Sequence, residues 1–352
     1  MVLTSAPLSG FIILCTLTLG CAQPKLNAEP RKTPILIAGG SDLSSLIKVN
    51  LKTLQKKPLF TPAMVARLRK IFKSEQGRVD SGVSGISGPF DGKLVLSSPK
   101  RSVLIQWKNR FAEPLVYDLT FGKKVLSGFV LSPNGKKLAY LEMTELVSAQ
   151  VMPDIRGNLM IYDLDTKKPT KVGENFQFVP FESTRWSFDS KSVSAYKVYK
   201  FKDVPNNKLY NDPNYPRMKP DAPIALLKSF DIQTKLESQT TPSWASAESV
   251  DGGTYLSGES VRTETSVEVR FKQVDRRGNK IRDLKGLYSS VSDILAFWNN
   301  GDLVTEVITD DEKFGLHTKF SIIRDGKETI IHRIKDSFGD NYQSVLSSVG
   351  SE

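Results

Sequence analysis

One phrase returns along this chain: apolar residues, an aromatic or valine, then Asp or Asn, another apolar residue and a lysine-rich turn. It reads LIKVNLKTLQKK at 46–57, PLVYDLTFGKK at 114–124 and LMIYDLDTKK at 159–168. It returns as LLKSFDIQTK at 226–235, and in worn form as FKQVDRRGNK at 271–280 and FSIIRDGKE at 320–328. With Val49, Tyr117, Tyr162, Phe230, Val274 and Ile323 taken as equivalent, the intervals are 68, 45, 68, 44 and 49 residues. A base period near 45 residues, with two longer gaps, constrains the fold more than composition does. One small twisted sheet cannot cover both of its own faces; between neighbours of its own kind it can. The expectation is an all-β β-propeller of six four-stranded blades, with seven allowed, over residues 33–335.

A second signal precedes each phrase. LSPNGKKLAYLE (131–142) places Pro-Asn-Gly in a tight turn and then alternates into Leu138 and Tyr140. Asn-Gly supplies the positive φ values that a short hairpin needs. Its counterparts are PFDGKLVLSS (89–98), RWSFDSKSVSAYK (185–197), PSWASAESVDGGTYLS (242–257) and AFWNNGDLVTEV (296–307). This pairing resembles the TolB-type and prolyl-oligopeptidase-type propeller repeat, whose strand pair reads W-S-P-D-G-K-x-I-A and later I-Y-V-x-D-L. A two-sheet sandwich has similar turn density but no reason to keep one phrase at intervals.

The long gaps hold insertions. FTPAMVARLRKIFKSEQ (60–76) predicts a helix over 61–75, capped by Thr61 with Pro62 in the first turn. Met64, Leu68, Ile71 and Phe72 form one apolar face, with Arg67, Arg69, Lys70 and Lys73 around it. That face packs on the propeller; the alternative is a basic amphipathic helix lying on a membrane. The second insertion is the proline-rich loop 202–223. Read with its flanks (185–235), it resembles the N-terminal propeller of dipeptidyl peptidase IV relatives. Tyr215-Pro216-Arg217 and Ala222-Pro223 hold the places of the family's Tyr-Pro and closing Pro, with Lys219 and Asp221 in place of its Gly and Asn. Blade one lacks an innermost strand of its own, so 336–352 is either a tail or the strand that closes the ring.

The N-terminus carries a different message. Both cysteines, Cys15 and Cys21, lie within GFIILCTLTLGC (10–21), a short apolar core ending in small residues, the form of a secretory signal. Leu17-Thr18-Leu19-Gly20-Cys21 resembles the bacterial lipobox, although MVLTSAPLSG lacks the usual positive residues. The resemblance implies cleavage after Gly20, acylation of Cys21 and a tether over 21–32; ordinary secretion or an uncleaved anchor are the alternatives. Ala22 after the cysteine implies, by the same analogy, the periplasmic face of the outer membrane. The 49 Lys and Arg outnumber the 38 Asp and Glu, giving a net charge of +11. That excess suits an envelope protein or an anionic polymer as partner, and a membrane through the lipid anchor. Nucleic acid is not expected, because no binding motif occurs.

Chemistry has few candidates. The peptidase relatives carry a catalytic α/β-hydrolase domain, but only about 20 residues follow the last phrase, and no G-x-S-x-G occurs. Glu142 and Glu145 are poor candidates for a substrate clamp. His317 and His332 have no cysteine to complete a zinc site. Asp310-Asp311-Glu312 reads as a solvated hairpin turn. Asp91, Asp118, Asp163, Asp189 and Asp231 recur at turns and strand ends, with a ring of channel carboxylates as the other option. Trp107, Trp186, Trp244 and Trp298 are read as packing between blades. No catalytic, cofactor or metal residue is expected. The function class is a non-enzymatic binding scaffold, with a propeller hydrolase or lyase, or an accessory domain of a separate peptidase, as the alternatives.

Overall fold

The computed structural model of the protein describes residues 33–40, 42–72, 83, 85–98, 101–108, 113–119, 129–147, 154–177, 184–203, 221, 223–237, 247–262, 267–275, 277–289, 292–335 and 345–351. Its plainest unit comes late in the chain. Ser292–Phe297, Leu303–Asp311, Gly315–Arg324 and Lys327–Lys335 pair in that order, each antiparallel to the next. Ala247–Glu248, Tyr255–Arg262, Val267–Val274 and Lys280–Ser289 do the same.

The larger sheets divide into similar meanders. Val130–Leu131, Lys137–Val147, Asp154–Asp163 and Lys168–Gln177 make one, and Arg185–Trp186, Ser192–Lys200 and Pro223–Asp231 make the next. A single partner pair, Phe176 with Lys197, links them. Gly85–Phe90, Lys93–Ser97, Ser102–Gln106 and Leu115–Asp118 form another meander. The remaining set draws on both ends of the chain: Val345–Ser351 pairs with Pro34–Gly40, which is followed outward by Ile47–Asn50 and Lys56–Pro58. Among the described residues the strands thus fall into six sets, numbered one to six from this last one along the chain.

Strand alternation decides how the sets stack. Successive side chains point to opposite faces, so Ile35 and Ile37 join a core with Leu94, Leu96, Val103 and Ile105 of set two. Leu36 and Ala38 join the opposite core, with Ala296, Val304, Phe320 and Ile322 of set six. Val95 and Leu104 of set two meet Leu131, Leu138 and Tyr140 of set three. Ala139 and Leu141 of set three meet Val193, Ala195 and Phe230 of set four. Leu256 and Leu284 of set five meet Phe297 and Leu303 of set six. Each fully buried aliphatic or aromatic side chain contributes roughly 1.5–3 kcal/mol. Small sheets stacked face against face in this way, with set six covering set one, make a β-propeller.

The repeating phrase now has a cause. Asp163 accepts the amides of Asp165 and Thr166 (3.1 and 2.8 Å), and Lys167 closes the turn at φ 57°. Asp231 accepts those of Gln233 and Thr234 (2.9 and 2.7 Å), with Lys235 at φ 63°. Asn50 treats Lys52 and Thr53 alike, with Leu54 at φ 59°. The phrase therefore marks the end of a third strand and the tight turn beyond it. Tyr117 is the exception. Ile105 lies opposite Leu94 as Tyr162 lies opposite Leu138, so Ile105 is the true equivalent and Tyr117 sits one strand further out. In set two Gln106 stands where Asp163 would, and residues 109–112 of the connection beyond it lie outside the described residues.

Helix α1 spans Pro62–Phe72, with the Met64 amide donating to Thr61 Oγ1 at 3.3 Å. Met64, Val65, Leu68 and Phe72 are buried in the core between sets one and two. Val65 joins the expected stripe, half-buried Ile71 packs against the same core, and the helix is not free to lay its apolar face on a membrane. Arg101 donates to the Ile71 carbonyl at 2.9 Å, satisfying one of its last acceptors. Most of the proline-rich loop lies outside the described residues. Its neck is a continuation of the set-four hairpin, with Lys200 opposite Pro223 and Lys202 paired to Asp221 at 2.8 Å. Gly20, Cys21, Lys73 and Trp244 also lie outside the described residues.

Candidate functional site

The densest polar geometry lies where each set's first hairpin turns. Ser132-Pro133-Asn134-Gly135 and Ser187-Phe188-Asp189-Ser190 are built alike. In both, the serine hydroxyl donates to the Asx side chain (2.8 and 2.7 Å) and accepts the amide five residues on (2.9 Å each). The fourth position is left-handed, Gly135 at φ 67° and Ser190 at φ 59°.

These turns lock into one another. Lys93 Nζ donates to the Gly135 carbonyl at 2.8 Å. The Asn134 amide donates to Ser190 Oγ at 3.1 Å, and Trp186 Nε1 to the Val130 carbonyl at 2.9 Å. The Phe188 amide donates to Glu248 Oε2 at 3.1 Å. The Asn299 amide donates to Asp251 Oδ1 at 2.9 Å, and its Nδ2 to the Gly252 carbonyl at 2.8 Å. Arg282 reaches the carbonyls of Asn299 and Asn300 at 3.1 and 2.7 Å. Arg324 then crosses to the Leu51 carbonyl of set one at 2.6 Å.

Sets four and five leave apolar side chains outside this lattice. Phe188 is 48% exposed, Ile281 47% and Val250 36%, and each sits beside a residue of the interlocking network. Beneath Phe188 lies the half-buried Glu248. Burial raises its pKa, helped by nearby Asp189, while the Phe188 and Gly253 amides and the Tyr255 hydroxyl pull the other way. The rim thus presents an aromatic ring and two aliphatic side chains beside hydrogen-bonded turns.

The sequence-level candidates distribute otherwise. Asp91 and Asp189 belong to first-hairpin turns, Asp163 and Asp231 to the second type of turn, and Asp118 to an outer strand facing Arg101 at 3.4 Å. These five carboxylates do not form one ring. Trp186 and Trp298 do bridge sets, and Trp107 stacks 6.4 Å from Phe60. His317 is buried at a hairpin end, Nδ1 2.7 Å from the Gly315 carbonyl and Nε2 3.6 Å from Asp311. Burial, with the Lys56 charge, lowers the pKa of His332. Glu142 lies in a strand facing Asn158 across the sheet. Among the described residues no group of three His, Cys, Asp or Glu is placed to hold a metal ion.

No protein-family model and no curated protein matches the chain. Among solved structures it is similar to TolB from Acinetobacter baumannii, at 14% identity and TM-score 0.49, over 90% of this chain and 66% of that one. It is also similar to the β-propeller domain of the Trilobed protease from Pyrococcus furiosus, at 16% identity and TM-score 0.35, over 60% of this chain and 58% of that one. A third is oligogalacturonate lyase from Vibrio parahaemolyticus, at 14% identity and TM-score 0.34, over 70% and 63%. The chain spans less than two thirds of the length of each. At such identities the likeness extends no further than fold.

Phe188, Val250, Glu248 and Arg282 are residues that sequence reasoning passed over. One signal was available for the first: aligning LSPNGKK with WSFDSKS puts Phe188 in the place of Pro133. A large aromatic at an exposed turn is the kind of substitution that folding does not ask for.

Proposed function

We propose that the chain is a lipid-anchored envelope protein whose six-bladed propeller is a binding scaffold rather than an enzyme. It holds a protein or polymer partner on the rim of sets four and five. The observation that carries this reading is Phe188, an exposed ring fixed between hydrogen-bonded turns, with Val250 and Ile281 exposed in the next set. The rim carboxylates support it: Asp189 and Asp251 accept amides at 3.0 and 2.9 Å, so they shape turns instead of facing a reactant. The lipobox-like Leu17–Cys21 supplies the anchor, at the periplasmic face of the outer membrane.

A photo-crosslinking residue placed at position 188 and irradiated in intact envelopes captures a defined partner, while the same probe at Tyr117 does not. Phe188→Ala loses that partner on co-purification. Equal capture at both positions, or turnover of an envelope polymer by the purified protein, overturns the proposal. For the anchor, Cys21→Ser abolishes incorporation of labelled palmitate and leaves residues 1–20 attached. Unchanged labelling sinks that part alone.

A further inference from the structure

Between residues 43 and 74 the chain carries eight Lys and Arg and no Asp or Glu. The fold gathers the described part of this run at one margin. Lys56–Pro58 is the outermost strand of set one, exposed at all three positions, and α1 follows it directly. Because the apolar face of α1 is spent on the core, the side facing outward is its basic one, with Arg67, Arg69 and Lys70 exposed. Arg69 is paired to Asp42 at 2.7 Å. Among the described residues, Lys52, Lys56, Lys57, Arg67 and Lys70 have no carboxylate partner.

We propose that this margin rests on anionic phospholipid headgroups, by charge alone and without insertion. The proposal takes the acylated Cys21 of the preceding subsection as its starting point. Twelve residues separate Cys21 from Pro34 and span at most about 40 Å. They lead into strand Pro34–Gly40, whose Leu36 pairs with Val49, which pairs with Lys56. Strands are spaced about 4.8 Å apart, so the basic strand lies roughly 10 Å from the strand that the tether joins. Anchoring therefore brings this margin to the bilayer at short range, where each Lys or Arg at an anionic surface strengthens binding about five-fold. Attraction of this kind is screened within about 8 Å at physiological salt and within about 3 Å at 1 M. Contact is thus close and sensitive to salt.

The test uses the full chain purified from envelopes in detergent, with Gln55→Cys carrying a donor dye beside Lys56. Intact mass first reports whether Cys21 is acylated. The protein is then reconstituted into vesicles bearing acceptor lipid, either phosphatidylcholine alone or with 30% phosphatidylglycerol. Energy transfer at least two-fold higher in the anionic vesicles, lost at 1 M salt and lost in Lys56→Glu/Lys57→Glu/Arg67→Glu/Lys70→Glu, supports the proposal. Equal transfer in both vesicle types, or a difference that survives charge reversal, overturns it. Circular dichroism and the urea midpoint of the reversed variant establish that it is folded. A milder pair, Lys57→Gln/Lys70→Gln, gives an intermediate loss if charge is the cause. Absence of the acyl mass is a failure of the anchor, not of the surface. In that event the protein is floated with the same vesicles, and anionic-specific flotation abolished by charge reversal still supports the basic margin, while no flotation ends it.

Discussion

At the scale of single residues, the turn positions separate two costs that sequence treats as one. Gly135 and Gly253 both hold positive φ, 67° and 90°. A Cβ on Gly135 would stand 2.6 Å from Asp91 Cβ, whereas one on Gly253 has nothing within 4 Å. Gly253→Ala therefore loses about 1–2 kcal/mol of stability from backbone strain. Gly135→Ala loses a further 1–3 kcal/mol or so from the clash between sets two and three. Urea denaturation of the pair reads the difference directly. Glu248 gives a titration signature. Its folded pKa lies above its ordinary value of 4.5, so the folded protein holds a proton that the unfolded chain has already released. Its contribution to stability is largest in acid and declines as pH rises from about 4.5 through the raised folded value. In Glu248→Gln that decline disappears. The stability of wild type minus variant, measured by denaturation at several pH values, falls with rising pH; a flat difference would contradict the burial described.

At the scale of elements, α1 shows what amphipathicity alone left open. Leu68 is fully buried, and Leu68→Ala is expected to cost about 2–5 kcal/mol, while exposed Arg67→Ala stays within about 0.5 kcal/mol. Thr61→Ala removes the helix cap and costs about 1 kcal/mol. Thermal melts of the three rank Leu68→Ala as the most destabilised, then Thr61→Ala, then Arg67→Ala. The helix and the hairpins were legible because their causes are local: a cap beside its helix, an Asn-Gly within its own turn, a period of two along a strand. The phrase at 114–124 misled because Tyr117 and Asp118 stand on an exposed outer strand, one strand away from the place the same letters hold elsewhere. The rim was hidden for a different reason. Phe188 meets Glu248 sixty residues away, and no spacing rule announces which turn docks on which.

At the scale of the molecule, the join between chain ends has the largest consequence. Val345–Ser351 pairs with Pro34–Gly40 over seven residues, and a Cβ on Gly350 would come within 2.6 Å of the Pro89 nitrogen. Removing residues 345–352 strips set one of a strand and exposes the Pro34–Gly40 edge. The shortened chain loses cooperative denaturation and self-associates on gel filtration; a sharp monomeric transition would show the join to be dispensable. Were the chain anchored at Cys21, as proposed, tension would arrive at set one. Pro34–Gly40 lies flanked on both sides, by Val345–Ser351 and Ile47–Asn50. Pulled lengthwise, it cannot peel away one bond at a time, because its cross-links on two flanks must break together. A head moored through that strand would grip its mooring hardest when dragged along the strand's own axis.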